Sequence, residues 1–99
     1  MKRWKIRFTP EASRVVSTLH PEVKKLIKQN LKELQRDPYR GKDLQEELAG
    51  FKSLRLKQYR VIYDLDEQDA YIQIYYIEPR RDVYQQFSRL LTQLHSDPG

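Results

Sequence analysis

Hydrophobic and polar residues alternate from the start of the chain. Trp4, Ile6 and Phe8 fall on one side of an extended segment and Lys5 and Arg7 on the other, the period of a half-buried strand. Thr9-Pro10-Glu11 then changes the pattern. Thr9 suits an N-cap, Pro10 suits the first helical position, where a missing N–H costs nothing, and Glu11 complements the positive helix end. A short helix is predicted to about Leu19. Pro21 after His20 repeats this grammar, and from Glu22 to Arg36 the residues Val23, Leu26, Ile27, Leu31 and Leu34 form one apolar helical stripe. Asp37-Pro38 ends it, because a residue before proline is pushed away from helical angles. The two helices therefore make a hairpin.

Tyr39 to Gly50 offers only Leu44 and Leu48 as apolar anchors and reads as a connection with one helical turn. Alternation returns at Phe51. Leu54 and Leu56 share a face opposite Ser53, Arg55 and Lys57, and two further strands, Tyr59 to Asp64 and Ala70 to Ile77, are rich in Val, Ile and Tyr. Turns near Lys57-Gln58 and at Asp66 to Asp69 link them into an antiparallel meander. After Pro79 a last helical pattern carries Val83, Phe87, Leu90, Leu91 and Leu94, and Ser96 to Gly99 reads as a frayed tail. The expected class is α+β: a small antiparallel sheet, built from the N-terminal strand and the three-stranded meander, with the helical hairpin on one face and a C-terminal helix.

The chain has 99 residues, enough for one domain over residues 1–99 with one modest core, so a functional site must lie on that core's surface. Cysteine is absent, which excludes disulfides and thiolate zinc sites. Two histidines, His20 and His95, and three glycines cannot build a histidine metal cage or a glycine-rich phosphate loop, so no metal or cofactor is expected. No apolar run approaches the roughly 18 residues of a membrane helix, and Met1 to Phe8 lacks the apolar stretch of a signal peptide. The expected location is the cytoplasm.

Charge then narrows the field. Lys and Arg total 19 against 14 Asp and Glu, a net +5. Lys52, Arg55, Lys57 and Arg60 follow one another between Phe51 and Tyr63 with no acid among them, and Arg80 and Arg81 come after the next strand. The long helix instead mixes signs, as a solvated face does. If Leu54 and Leu56 meet the helices, Arg55 and Lys57 stand on an uncovered sheet face. Such cations can serve only to discourage edge pairing, but a field of one sign also attracts a polyanion, and the arginine fork fits phosphate. Phe51, Tyr59, Tyr63, Tyr75, Tyr76 and Tyr84 are interleaved with the cations as stacking surfaces for bases. An RNA ligand is favoured.

Two segments carry a family resemblance. Leu54-Arg55-Leu56, a short turn and Tyr59-Arg60-Val61-Ile62-Tyr63, followed after the last strand by Arg80-Arg81-Asp82-Val83-Tyr84, resemble the RelE/ParE toxin superfamily of bacterial and archaeal type II toxin-antitoxin modules. The resemblance extends over nearly the whole chain in size, element order and basic charge. It implies one of two activities. RelE-like members enter the ribosomal 30S A site and cut messenger RNA; ParE-like members share the fold and poison DNA gyrase without cutting RNA. Carried onto this chain, the RNA-cleaving set is Arg60, Arg80 and Tyr84, with Arg55 on the helping strand; Lys52 and Lys57 lie nearby without aligning cleanly, and by their charge Lys52, Arg55, Lys57 and Arg81 are the candidate RNA-binding residues. Ser53 and Pro79 depart from the pattern, standing where many RNA-cleaving relatives have basic residues. Retention of Arg60, Arg80 and Tyr84 favours a ribosome-dependent endoribonuclease that works by 2′-OH attack on the adjacent phosphate, with Tyr84 as base or proton relay among the arginines. The alternatives are the ParE-like gyrase inhibitor and a nucleic-acid-binding module without toxicity. The implied partners are a cognate antitoxin, messenger RNA and the ribosome, with no membrane; part of the stripe from Val83 to Leu94 is the candidate antitoxin dock.

Overall fold

The computed structural model describes residues 3–79 and 89–92. Strand β1 (Lys5–Phe8) leads into helix α1 (Pro10–Thr18) and helix α2 (Pro21–Arg36). A two-residue strand, β2 (Lys42–Asp43), and a 3-10 turn (Glu46–Leu48) precede the hairpin β3 (Lys52–Leu56) and β4 (Tyr59–Asp66), and β5 (Tyr71–Pro79) completes the sheet. Residues 89–92 are helical, within the predicted last helix. No helix among the described residues is long and apolar enough to cross a membrane.

Both helices start where their caps place them. The Thr9 hydroxyl accepts the Ala12 N–H at 3.1 Å and donates to the Tyr75 carbonyl at 3.2 Å, while the Thr9 N–H donates to the Ile74 carbonyl at 3.0 Å. One residue thus caps α1 and ties it to β5. His20 caps α2, its Nδ1 accepting the Glu22 N–H at 3.2 Å. The Gln35 amide of α2 donates to the Trp4 carbonyl at 2.8 Å, fixing that helix to the start of the sheet.

The sheet order is β1-β5-β4-β3-β2. The α+β class stands, but the sheet is mixed: β2 to β5 are antiparallel in sequence, whereas β1 pairs with β5 in parallel, Lys5 opposite Tyr71 and Phe8 opposite Ile74. Alternation in a half-buried edge strand is the same in either direction, so residue pattern does not set this choice. The helix-side core joins Ala12, Ile27, Leu31 and Leu34 to Leu54, Leu56, Val61, Tyr63, Ile72, Ile74 and Ile77. A bulge makes this possible: Ile62 and Tyr63 of β4 face Tyr76 and Ile74, leaving Tyr75 as an extra residue. Ile77 thereby rejoins the face of Ile72 and Ile74.

The opposite face is not bare, contrary to the expectation of an uncovered one. Around the fully buried Ile62 pack Leu44, Leu48, Phe51, Tyr75, Tyr76, Leu90 and Leu91. The connection before β3 and the helical residues 89–92 supply apolar side chains that the second face needs, since Ile62, Tyr75 and Tyr76 all point there.

Candidate functional site

The β3–β4 register puts Leu54 opposite Val61 and Leu56 opposite Tyr59 on the helix face, and Arg55 directly opposite Arg60 on the other. Arg55 is exposed and Arg60 half-buried. Like charges directly opposite in an antiparallel pair are destabilising, so this placement works against the hairpin it sits in. Arg60 also has Glu78 opposite it on β5. One Nη of Arg60 donates to the hydroxyl of Ser53 at 3.3 Å, and Ser53 is itself only 4% exposed.

The other expected cations part company with this pair. Lys52 falls on the helix side, opposite Tyr63; its ammonium pairs with Asp43 at 2.5 Å and lies 5.8 Å from the centre of the Tyr39 ring. It shares the parity of Leu54 and Leu56, and an ammonium there stands on the wrong side of the sheet to join Arg55 and Arg60. Lys57 lies in the two-residue turn between β3 and β4, exposed, with a positive φ of 52°. It projects from the end of the hairpin that carries the two arginines. Arg80, Arg81 and Tyr84 lie outside the described residues, as does His95.

The aromatic residues also separate. Tyr63 is a core residue with no exposed surface: its hydroxyl donates to the Pro38 carbonyl at 2.9 Å and accepts the Gly41 N–H at 3.0 Å. Burial pushes its phenol up to about 12. It is no stacking surface for a base. Phe51 and Tyr75 meet edge to face at 4.9 Å on the second face, and the Tyr75 hydroxyl donates to Asp64 at 3.3 Å. Burial raises both the Asp64 carboxyl and the Tyr75 phenol above their ordinary values. Among the described residues no group of three or more His, Asp or Glu side chains could hold a metal ion.

What remains is an arginine pair at one end of the second sheet face. A guanidinium carries a positive charge and presents five N–H donors in a planar fork. Such a pair stabilises charge on phosphate oxygens; it does not itself remove a proton.

The comparisons with known proteins bear on what uses it. The family model described as ParE toxin of type II toxin-antitoxin system, parDE, matches residues 6–84. The chain belongs to this toxin family. As a ParE-family toxin it is 35% identical over 81 residues to Toxin RelG of Mycobacterium tuberculosis, an alignment covering 80% of this chain and 93% of that protein. It is similar in structure to a chain of the M. tuberculosis toxin-antitoxin complex RelBE2, with a TM-score of 0.72 and 32% identity over 80% of this chain and all of that one. A double-arginine mutant of the Escherichia coli toxin RelE in its free state gives a TM-score of 0.75 at 14% identity, covering 94% of this chain and 99% of that one, which is a likeness of fold alone. The expected superfamily is therefore the right one, and the toxin is a type II toxin-antitoxin toxin of the RelE/ParE superfamily. Within it, Ser53 is the residue whose part the sequence pattern did not show. Its contact with Arg60 runs diagonally between strands and needs the register to be seen.

Proposed function

We propose that this toxin is a ribosome-dependent endoribonuclease that cuts messenger RNA in the A site and so inhibits translation. The observation that carries the reading is the Arg55–Arg60 pair, two cations held against mutual repulsion on the sheet face away from α1 and α2. A ribose 2′-OH attacks the adjacent phosphorus as its proton passes to a base; the new 2′-O–P bond forms, the P–O5′ bond breaks, and the 5′ oxygen takes a proton. The products are a 2′,3′-cyclic phosphate and a free 5′-hydroxyl. Arg60 and Arg80 stabilise the extra negative charge on the phosphorus oxygens, and Tyr84 serves as base or proton relay. Arg55, Lys57 and Arg81 bind the RNA backbone. Lys52, turned to the helix side, contributes to the field rather than to direct contact.

A tyrosine is a poor base at neutral pH, so positioning must supply much of the rate. A ribosome that presents the RNA in near-attack geometry contributes about 7–11 kcal/mol of the barrier. Cleavage of free RNA is then slow. The partner that restrains the toxin is a cognate antitoxin, and the site of action is the cytoplasm; similarity to the toxin of RelBE2, solved as a toxin-antitoxin complex, supports that partner.

The test is primer extension on messenger from a translation extract. Wild type leaves discrete cuts, and Arg60→Ala, Arg80→Ala and Tyr84→Phe each remove them; cuts undiminished in all three overturn the reading. The matching model's description as a ParE toxin favours a second one, inhibition of DNA gyrase. Loss of supercoiling activity by purified gyrase, with messenger left intact in the extract, would decide for it.

A further inference from the structure

Arg60 is surrounded unequally on β3. Directly opposite it stands Arg55, which repels it, and two residues earlier on the same face stands Ser53, whose hydroxyl accepts one Nη at 3.3 Å. Ser53 pairs with Ile62 in β4 and with Lys42 in β2, so it sits inside the sheet and is 4% exposed. A hydroxyl buried in this way belongs in a hydrogen bond. A guanidinium is a planar fork whose direction is set by whichever donor is tied down. Tying one Nη to the Ser53 hydroxyl gives the Arg60 guanidinium a fixed point on β3.

We propose that Ser53 is a positioning residue for Arg60, fixing the direction in which that guanidinium meets a phosphate. What Arg60 is held for rests on the endoribonuclease reading; the hold itself does not. Ser53 would then supply, by orientation, part of what a second cation at residue 53 would supply by charge.

Threonine and valine have the same shape, and both suit a strand, but only threonine keeps the hydroxyl. Ser53→Thr and Ser53→Val therefore impose one packing change and differ in the hydroxyl. Two measurements separate the hold from its use. The first is 15N NMR of the arginine side chains, in which rotation about the Nε–Cζ bond of Arg60 is expected to be slow in wild type and in Ser53→Thr and fast in Ser53→Val. The second is single-turnover cleavage on ribosomes programmed with messenger. There Ser53→Val is expected to cut about tenfold more slowly at saturation than Ser53→Thr, the scale of a lost hydrogen bond to a charged group, with the half-saturating ribosome concentration unchanged within about twofold. In an Arg60→Lys background the two variants should cut at equal rates.

Equal rotation of Arg60 in the threonine and valine variants overturns the proposal whatever the cleavage rates. Slow rotation in wild type and threonine alone, with equal cleavage by threonine and valine, overturns its catalytic use. Slow rotation in those two with no cleavage by wild type upholds the hold and sinks the endoribonuclease reading instead.

Discussion

The phenol oxygen of Tyr63 occupies the space that a side chain at Gly41 would enter. It accepts the Gly41 N–H at 3.0 Å, and a Cβ built on Gly41 would stand 2.9 Å from Cε1 and Cζ of the ring and closer still to the oxygen. The same hydroxyl donates to the Pro38 carbonyl, so one buried side chain on β4 satisfies two backbone groups in the connection after α2. Gly41→Ala is expected to lower stability by about 1–3 kcal/mol through overpacking. Tyr63→Phe is expected to cost a similar amount, about 1–3 kcal/mol, by leaving an N–H and a carbonyl without their partner. Urea unfolding of the two variants checks both values.

Tyr63 also gives the fold an alkaline limit. Its phenol is raised from the ordinary value near 10 to about 12, chiefly by burial, so the folded state favours the neutral form. The stability linked to this shift is complete below pH 10 and is lost as pH rises from about 10 to about 12, on the order of 2 kcal/mol. The difference in unfolding free energy between wild type and Tyr63→Phe is expected to shrink across that window. A constant difference from pH 9 to pH 12 would contradict the assignment.

Much of this architecture was legible because caps and periodicity act locally. Thr9-Pro10 and His20-Pro21 mark both helix starts, and the parity of Leu54 with Leu56 identifies the helix face of β3. The same parity puts Lys52 with the leucines and Tyr63 with Val61; grouping Lys52 by its charge, and Tyr63 by its ring, set that information aside. β2 is two charged residues, Lys42 and Asp43, and carries no apolar alternation to read. The bulge at Tyr75 shows in the sequence only as a broken period between Ile74 and Ile77. The direction of β1 and the diagonal contact from Arg60 to Ser53 depend on pairing across the sheet, which no local pattern contains.

Thr9 joins three backbone groups of two elements, and its loss should therefore exceed that of an ordinary cap. Thr9→Ala removes the acceptor for Ala12 and the donor to Tyr75 while leaving the backbone bond to Ile74. The expected cost is about 1–2 kcal/mol, at the upper part of the range for an N-cap. Thr9→Ser keeps both contacts and should recover most of it in the same denaturation experiment.

Lys57 carries a conformational cost in the turn. A φ of 52° is unfavourable for a lysine by roughly 1 kcal/mol and free for a glycine. Lys57→Gly removes the cation proposed to bind RNA but relaxes the turn, so it is expected to raise the melting temperature while weakening the proposed ribosome binding. Lys57→Ala, which keeps the strain and loses the charge, should weaken binding equally with no gain in stability.

The Arg55–Arg60 pair makes the sharpest trade between folding and function. Arg55 is exposed and contributes to neither core, yet it stands directly opposite another guanidinium. Arg55→Gln removes the repulsion and is expected to stabilise the hairpin by about 0.2–1 kcal/mol. The same substitution takes one cation from the proposed phosphate grip, which should weaken RNA binding and flatten its dependence on salt by about one counterion, since each phosphate contact adds close to one unit to that slope. Stability from thermal unfolding and affinity measured across a salt series should therefore move in opposite directions. If both fell together, Arg55 would be a structural residue of the hairpin, and the second sheet face would have lost half of its claim to the RNA.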